Sequence, residues 1–169
     1  MIWYYGFMTE LSPHFMVCHM LEVAPECYQF SDWPLHLTVV PWFRVKEEAL
    51  PNTLLAIEGI SKRVGSFAIR AKANAWYGPQ GNVPVTKVED TTGRLAKLHH
   101  ELLQSIQSNG GTILDLTYTG ENYSPHVSLR EDGSGLLPDQ FVRCSSIAVV
   151  EKTRREVENK QVVKVISLV

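Results

Sequence analysis

The chain has 169 residues, of which 44% are hydrophobic and 20% are charged, and its formal net charge at pH 7 is -2. This length supports one domain with a substantial core, and the composition excludes an extended disordered chain. Proteins that hold long nucleic acids nonspecifically carry a large positive excess. The charge therefore favours a small substrate or an RNA end over a long polyanion such as an extended nucleic acid duplex.

The cysteines and the N-terminal segment indicate a cytoplasmic protein. Cys18, Cys27 and Cys144 are odd in number and lack C-x-x-C spacing, which is typical of reduced thiols. The first residues, MIWYYGFM, are apolar without a basic leader and predict a buried strand rather than a signal peptide. No apolar run is long enough to cross a bilayer, so we expect no membrane partner. We expect a monomer.

Apolar periodicity divides the chain into strands and two helices. The predicted strands cover residues 2–8, 14–23, 35–42, 66–76, 83–88, 113–117, 126–130, 143–151 and 162–168. The predicted helices cover residues 49–64, ended by Gly65, and a segment capped by Thr91 or Thr92 that runs to about residue 108. The periodicity of residues 14–23 also fits a short helix, and residues 152–160 form a charged turn. Pro41 is expected to end its strand or to place it at a sheet edge.

This order of elements predicts the fold class. Strands alternate with only two helices, too few for a doubly wound sheet, so we expect an α+β fold with mainly antiparallel sheets. Each half of the chain pairs one histidine-bearing strand with one helix. We therefore expect a single domain over residues 1–169, built as two related lobes.

Two short segments carry the chemistry, PLHLTV around His36 and PHVSL around His126. Each contains a histidine, an apolar residue, a hydroxyl residue and a second apolar residue. Side chains at i and i+2 of a strand share one face, so His36 and Thr38 should point together, as should His126 and Ser128. A single segment of this kind is typical of a partly buried structural histidine. Its repetition in the same context, 90 residues apart, favours catalysis.

Two such pairs facing each other suit the hydrolysis of a phosphodiester. Imidazole titrates near neutrality, so one neutral and one protonated ring could act as base and acid on opposite sides of phosphorus. The hydroxyls of Thr38 and Ser128 could donate hydrogen bonds to the nonbridging oxygens. This scheme requires no metal and no cofactor, and the chain lacks a G-x-x-x-x-G-K phosphate loop.

The paired segments HLTV and HVSL resemble the signature of the 2H phosphoesterase superfamily, which includes 2′-5′ RNA ligase-like proteins and cyclic nucleotide phosphodiesterases. The resemblance implies a bilobal, pseudo-symmetric α+β fold, with two mainly antiparallel sheets forming a central groove and helices packed outside. It implies that His36 and His126 are the catalytic histidines and that Thr38 and Ser128 bind phosphate. Many members have a helix before the first motif, whereas residues 11–33 predict none here.

Three further residues are candidates for binding the substrate. A regular strand would place Arg130, four residues after His126, on the catalytic face, where it could hold a phosphate oxygen; a solvated arginine at a strand end is the alternative. Tyr123 and Trp42 are candidates for stacking on a base, with Tyr123 preferred because it just precedes the second motif.

Three functions remain open. The favoured one is hydrolysis of a 2′,3′-cyclic phosphate or a 2′-5′ linkage. The second is 2′-5′ RNA ligation, which runs the same chemistry in reverse. The third is noncatalytic binding of a nucleotide or RNA end. Intact histidines and hydroxyls in both motifs weigh against the third.

Overall fold

The computed structural model describes residues 13–152 and 159–169. The predicted strand over residues 2–8 lies outside these residues, as does most of the charged turn. The strands are β1 (His14–Met20), β2 (Gln29–Phe30), β3 (His36–Arg44), β4 (Phe67–Tyr77), β5 (Val83–Glu89), β6 (Thr112–Ile113), β7 (His126–Ser128), β8 (Phe141–Cys144), β9 (Ser146–Lys152) and β10 (Lys160–Ser167). The helices are α1 (Leu50–Val64) and α2 (Arg94–Ser108), with short 3-10 turns at Glu47–Ala49 and Gly120–Asn122.

The strands form an antiparallel sheet in the order β2-β10-β9-β1-β3-β7-β5-β4-β8, with β6 also paired to β3. The predicted α+β class is confirmed, and residues 14–20 form a strand rather than a short helix. The two halves of the sheet are hydrogen-bonded to each other where β3 meets β7, with Leu37 opposite Val127. The motif strands are therefore neighbours.

The predicted strand over residues 143–151 is two strands in the structure. It divides at Ser145 into β8, which pairs with β4, and β9, which pairs with β1 and β10. The chain thus crosses from one half of the sheet to the other at Ser145. Only the long-range pairing separates the two strands.

Pro41 does not end β3 or place it at an edge, because β3 continues to Arg44 between β1 and β7. Val40 lies opposite Val17 and Phe43 lies opposite Phe15, so β3 contains one extra residue in this stretch. Such a bulge interrupts the regular ladder, and a proline without an N–H is tolerated within it.

The helices cover one face of the sheet with their apolar stripes. Ile57, Ile60 and Val64 of α1 and Leu95, Leu98, Leu102 and Ile106 of α2 join the main core cluster, together with inward side chains of the strands. These positions recur every three or four residues, as an amphipathic helix requires. Gly65 adopts a φ of 73° at the end of α1, which confirms the predicted stop.

The start of α2 differs from the predicted threonine cap. Gly93 precedes the helix with a φ of 72°, and the Asp90 carboxylate accepts the N–H of Leu95 at 2.7 Å. Asp90 also accepts the N–H of Thr92 at 2.8 Å. A carboxylate at a helix N-terminus satisfies a free donor and complements the helix dipole, so Asp90 provides the shorter bond, while Thr92 Oγ1 accepts the N–H of Arg94 at 3.4 Å.

Truncating a core leucine of α2 should destabilise the fold. Leu98 is 0% exposed, whereas Leu55 of α1 is 64% exposed. We expect Leu98→Ala to lower the free energy of unfolding by about 2–5 kcal/mol, since it leaves a cavity. Leu55→Ala should change it by less than about 1 kcal/mol. Urea titrations measure both values, and equal losses in the two variants would contradict the packing described.

Candidate active site

The pairing of β3 with β7 brings the two motifs onto one face. Leu37 and Val127 lie opposite each other and are both fully buried toward the helices. Side chains alternate along a strand, so the partly buried residues on either side of each point to the other face. In this register His36 lies opposite Ser128, and Thr38 lies opposite His126. The histidines are therefore diagonal neighbours on adjacent strands. Residues in such diagonal positions are about 7–8 Å apart.

The two histidine rings are held in the same way. Nδ1 of His36 donates to the carbonyl oxygen of Pro34 at 2.9 Å, and Nδ1 of His126 donates to the carbonyl oxygen of Ser124 at 2.8 Å. In both cases the acceptor is two residues upstream. A carbonyl can only accept, so the neutral ring carries its proton on Nδ1. Nε2 is then left to exchange a proton with a ligand.

An aromatic ring packs against each histidine. The indole of Trp33 stacks on His36 with 4.1 Å between ring centroids, and the rings of Tyr77 and His126 form a T-shaped pair with 4.7 Å between centroids. The hydroxyl of Tyr77 shares a hydrogen bond with that of Ser124 at 2.6 Å. The sequence prediction did not include Trp33, and it did not identify the contact between Tyr77 and His126. The sequence feature that could have indicated Trp33 is its position three residues before His36.

Burial sets the protonation of both rings. It lowers the pKa of His36 and of His126 below the ordinary histidine value, and the hydrogen bonds to Pro34 and Ser124 partly oppose this. The positive charge of His126 lowers the pKa of His36 further. A shared site thus holds two imidazoles that resist being charged together.

The groove over this face contains two adjoining cavities. Each is lined by two of the four motif residues. The larger cavity, of about 730 Å³, is lined by Trp33, Pro34, His36, Ser128, Arg130 and neighbouring residues. The smaller cavity, of about 220 Å³, is lined by Thr38, Pro41, Trp42, Asp115, Tyr118, Tyr123, Ser124 and His126. Met16 lines both, and Thr38 Oγ1 lies 3.9 Å from its sulfur. The Met16 side chain therefore marks the boundary between the two cavities.

Arg130 reaches the groove without the regular strand that would place it there. β7 ends at Ser128, and the N–H of Arg130 donates to the carbonyl oxygen of Ser134 in a turn. The side chain still lines the larger cavity, where its guanidinium pairs with the carboxylate of Glu22. Arg130 is therefore near His36 and Ser128, but it already has an anionic partner.

Tyr123 is tied into the fold on two sides. Its hydroxyl donates to the carbonyl oxygen of Thr38 at 3.0 Å, and its ring stacks on His99 with 3.8 Å between centroids. Burial raises the pKa of the hydroxyl. Trp42 packs against Trp33, with 6.0 Å between ring centroids, and lines the smaller cavity.

His99 is a residue whose role sequence reasoning missed. It is fully buried on α2, where Nδ1 donates to the carbonyl oxygen of Val39 at 2.6 Å and Nε2 accepts the N–H of Gly120 at 3.0 Å. These bonds fix the neutral ring, and burial lowers its pKa. His99 thus joins β3 to the segment that leads into β7. Its position four residues after Leu95, on the apolar stripe of α2, was the signal.

Among residues 13–152 and 159–169, no group of three or more histidine, cysteine or acidic side chains is arranged to hold a metal ion. In the same part of the chain, neither helix has the length and apolar character needed to span a membrane.

Comparison with known families decides the affiliation. The profile of the 2′-5′ RNA ligase superfamily matches residues 14–139, which include both motifs and most of the chain. The chain belongs to the 2′-5′ RNA ligase superfamily. Membership indicates a phosphoesterase-like or RNA ligase-like protein and confirms the resemblance seen in HLTV and HVSL. A sequence search among curated proteins found no match.

Solved structures of the superfamily type share the fold. A phosphoesterase crystal structure is 13% identical, with a TM-score of 0.66, and the alignment covers 92% of this chain and 98% of that one. TT0787 of Thermus thermophilus is 17% identical, with a TM-score of 0.63 and coverages of 92% and 97%. E. coli LigT complexed with 3′-AMP is 14% identical, with a TM-score of 0.64 and coverages of 93% and 98%. These TM-scores and coverages show a common fold.

Removing the hydrogen bonds of His99 should loosen the connection between the motif strands. His99→Phe keeps a ring against Tyr123 but leaves the Val39 carbonyl and the Gly120 N–H without their partner. We expect the free energy of unfolding to fall by about 1–3 kcal/mol for each group left unpaired. The adjacent His100 is exposed, and His100→Phe should change it by less than about 0.5 kcal/mol. Denaturant unfolding compares the two, and a similar effect of both would refute this role.

Proposed function

We propose that the chain is a metal-independent phosphoesterase that acts on 2′,3′-cyclic phosphates or 2′-5′ phosphodiester linkages of nucleotides or RNA ends. His36 and His126 are its general acid and base, and Thr38 and Ser128 bind the phosphate. One observation carries this proposal. Both rings are fixed through Nδ1 to the carbonyl two residues upstream, and both lie on one face as diagonal neighbours.

The chemistry follows from a phosphate placed between the two strands. The neutral histidine takes a proton from water through Nε2, and the water oxygen forms a bond to phosphorus. The protonated histidine gives its proton to the leaving oxygen as the other phosphorus–oxygen bond breaks. The hydroxyls of Thr38 and Ser128 donate hydrogen bonds to the nonbridging oxygens, where negative charge is held.

The groove and the structural relatives support a nucleotide-sized ligand. LigT has been crystallised with 3′-AMP, with ATP and with NADP⁺. In this chain Trp42 lines the smaller cavity beside the second motif histidine, and its ring is the one we propose stacks on a base. Tyr118 lines the same cavity, but one face of its ring is stacked on Tyr77. Tyr123 contributes less to stacking, because one face of its ring is covered by His99. The partner we propose is a small nucleotide or an RNA end.

Reversible 2′-5′ RNA ligation is the second candidate, favoured by the match to the superfamily of that name. The same two histidines serve ligation with their roles exchanged: the acid of one direction is the base of the other. A noncatalytic binder is less well supported, since it would not need two imidazoles with free Nε2 atoms.

Removing either motif histidine should abolish turnover. A single general acid or base contributes about 10²–10⁴-fold, so His36→Ala and His126→Ala should each lower kcat by at least that range. His100→Ala, on the exposed side of α2, is the control and should keep wild-type activity. The assay uses RNA ends with 2′,3′-cyclic phosphates, cyclic nucleotides, 2′-5′ oligoadenylates and ADP-ribose cyclic phosphates, with EDTA present. Full activity in both alanine variants would exclude the mechanism, and loss of wild-type activity in EDTA would indicate a metal enzyme.

The pH dependence follows from the lowered pKa values of the histidines. The active form has one proton on the pair, so kcat/KM should rise as the doubly protonated pair loses its first proton and fall as it loses the second. Burial lowers both pKa values, so each transition should occur below about pH 6.5, the ordinary histidine value. The measurement is kcat/KM from pH 4 to 9 at constant ionic strength. A bell centred above about pH 7 would contradict the burial of the two rings.

A further inference from the structure

The ion pair between Glu22 and Arg130 joins two distant parts of the chain at the mouth of the larger cavity. Glu22 follows β1, Arg130 follows β7, and one guanidinium nitrogen contacts both carboxylate oxygens. The side chains are 41% and 39% exposed, so solvent and ligands can reach the pair. Arg130 lines the cavity that also contains His36 and Ser128.

The charges around this cavity make Arg130 distinctive. Among the described residues that line it, Arg130 is the one permanently cationic side chain. The other charged residues lining it are acidic: Asp32, Glu131 and Asp132. With Glu22 on its guanidinium, Arg130 offers little net attraction to an anion. A second phosphate on the ligand therefore has the Glu22 carboxylate as its competitor for Arg130.

We propose that Glu22 is a specificity-determining residue that competes with a phosphomonoester of the substrate for Arg130. A substrate with only the scissile phosphodiester leaves the ion pair intact. One that also carries a neighbouring phosphomonoester binds by exchange, in which Arg130 passes from the carboxylate to the phosphate oxygens. This inference rests on the proposed function, because it takes the scissile phosphate to lie between the motif histidines.

The energetics permit such an exchange. An ion pair this exposed contributes little to stability, so separating it is not a large barrier to binding. The guanidinium fork suits phosphate oxygens as well as carboxylate, and both give charge-assisted hydrogen bonds. Glu22 also lines a neighbouring cavity of about 620 Å³, which gives its carboxylate open space after Arg130 has left it. The expected effect of Glu22 is therefore a few-fold change in affinity.

The test measures binding of two ligands that differ by one phosphomonoester, adenosine 2′-monophosphate and adenosine 2′,5′-bisphosphate. Neither contains a phosphodiester, so titration calorimetry on the full chain measures affinity without turnover. Glu22→Gln should lower the Kd of the bisphosphate about two- to fivefold and change that of the monophosphate less. Arg130→Gln should raise the Kd of the bisphosphate about tenfold. In the Arg130→Gln background, Glu22→Gln should have no further effect.

Glu131→Gln is the matched control, since Glu131 lines the same cavity and has no ion pair among the described residues. It removes the same charge and should change the Kd of the bisphosphate by less than about twofold. The inference is overturned if Glu22→Gln leaves the ratio of the two Kd values unchanged, or if it acts equally with and without Arg130. The first result would mean that the ion pair only connects two loops. The second would mean that the charge of Glu22 affects ligand binding without acting through Arg130.

Failure of this inference and failure of the proposed function give different results. If the chain is not a phosphoesterase, the wild-type protein turns over none of the four substrate types. The Kd values still report whether Glu22 and a phosphomonoester exclude each other at Arg130.

Discussion

The pairing of Leu37 with Val127 is the constraint on which the site depends. Among the described residues it is the one ladder pair that joins β3 to β7, and through it the two halves of the sheet. Both side chains are fully buried against the helices, which fixes the face that each neighbouring residue takes. A shift of either strand by one residue would turn its histidine into the core and expose an apolar side chain, so the hydrophobic effect selects this register.

A pairing this short needs support from elsewhere, and the structure provides it from the helix side. β7 has only three residues, held between β3 and β5. His99 contacts the backbone of Val39 on one side and Gly120 on the other, and Tyr123 donates to the carbonyl oxygen of Thr38. These bonds all end on backbone within or next to the motif strands. None of these three bonds therefore uses the side chain of a motif histidine or hydroxyl residue.

Local pattern was sufficient to predict some elements, whereas others depend on contacts between distant residues. The apolar stripes of α1 and α2 and the alternation around His36 and His126 are local, and the structure has the helices and strands that they indicate. The division at Ser145 and the bulge that accommodates Pro41 depend on which strands become neighbours. The contact of Arg130 with Glu22 spans 108 residues and has no sequence signal, because charged side chains pair wherever the fold brings them together.

The two motifs are equivalent in their own residues, so any division of labour between the histidines must come from what surrounds them. Each ring has the same Nδ1 hydrogen bond and a hydroxyl residue directly across the ladder. The neighbouring rings are arranged differently: Trp33 stacks on His36, whereas the rings of Tyr77 and His126 are T-shaped, at 67°. An aromatic face attracts a cation. Through this contact Trp33 favours the protonated form of His36, against the burial and the neighbouring charge that lower its pKa. In the proposed mechanism, the balance of these opposing effects, rather than the motif itself, decides which histidine donates the proton.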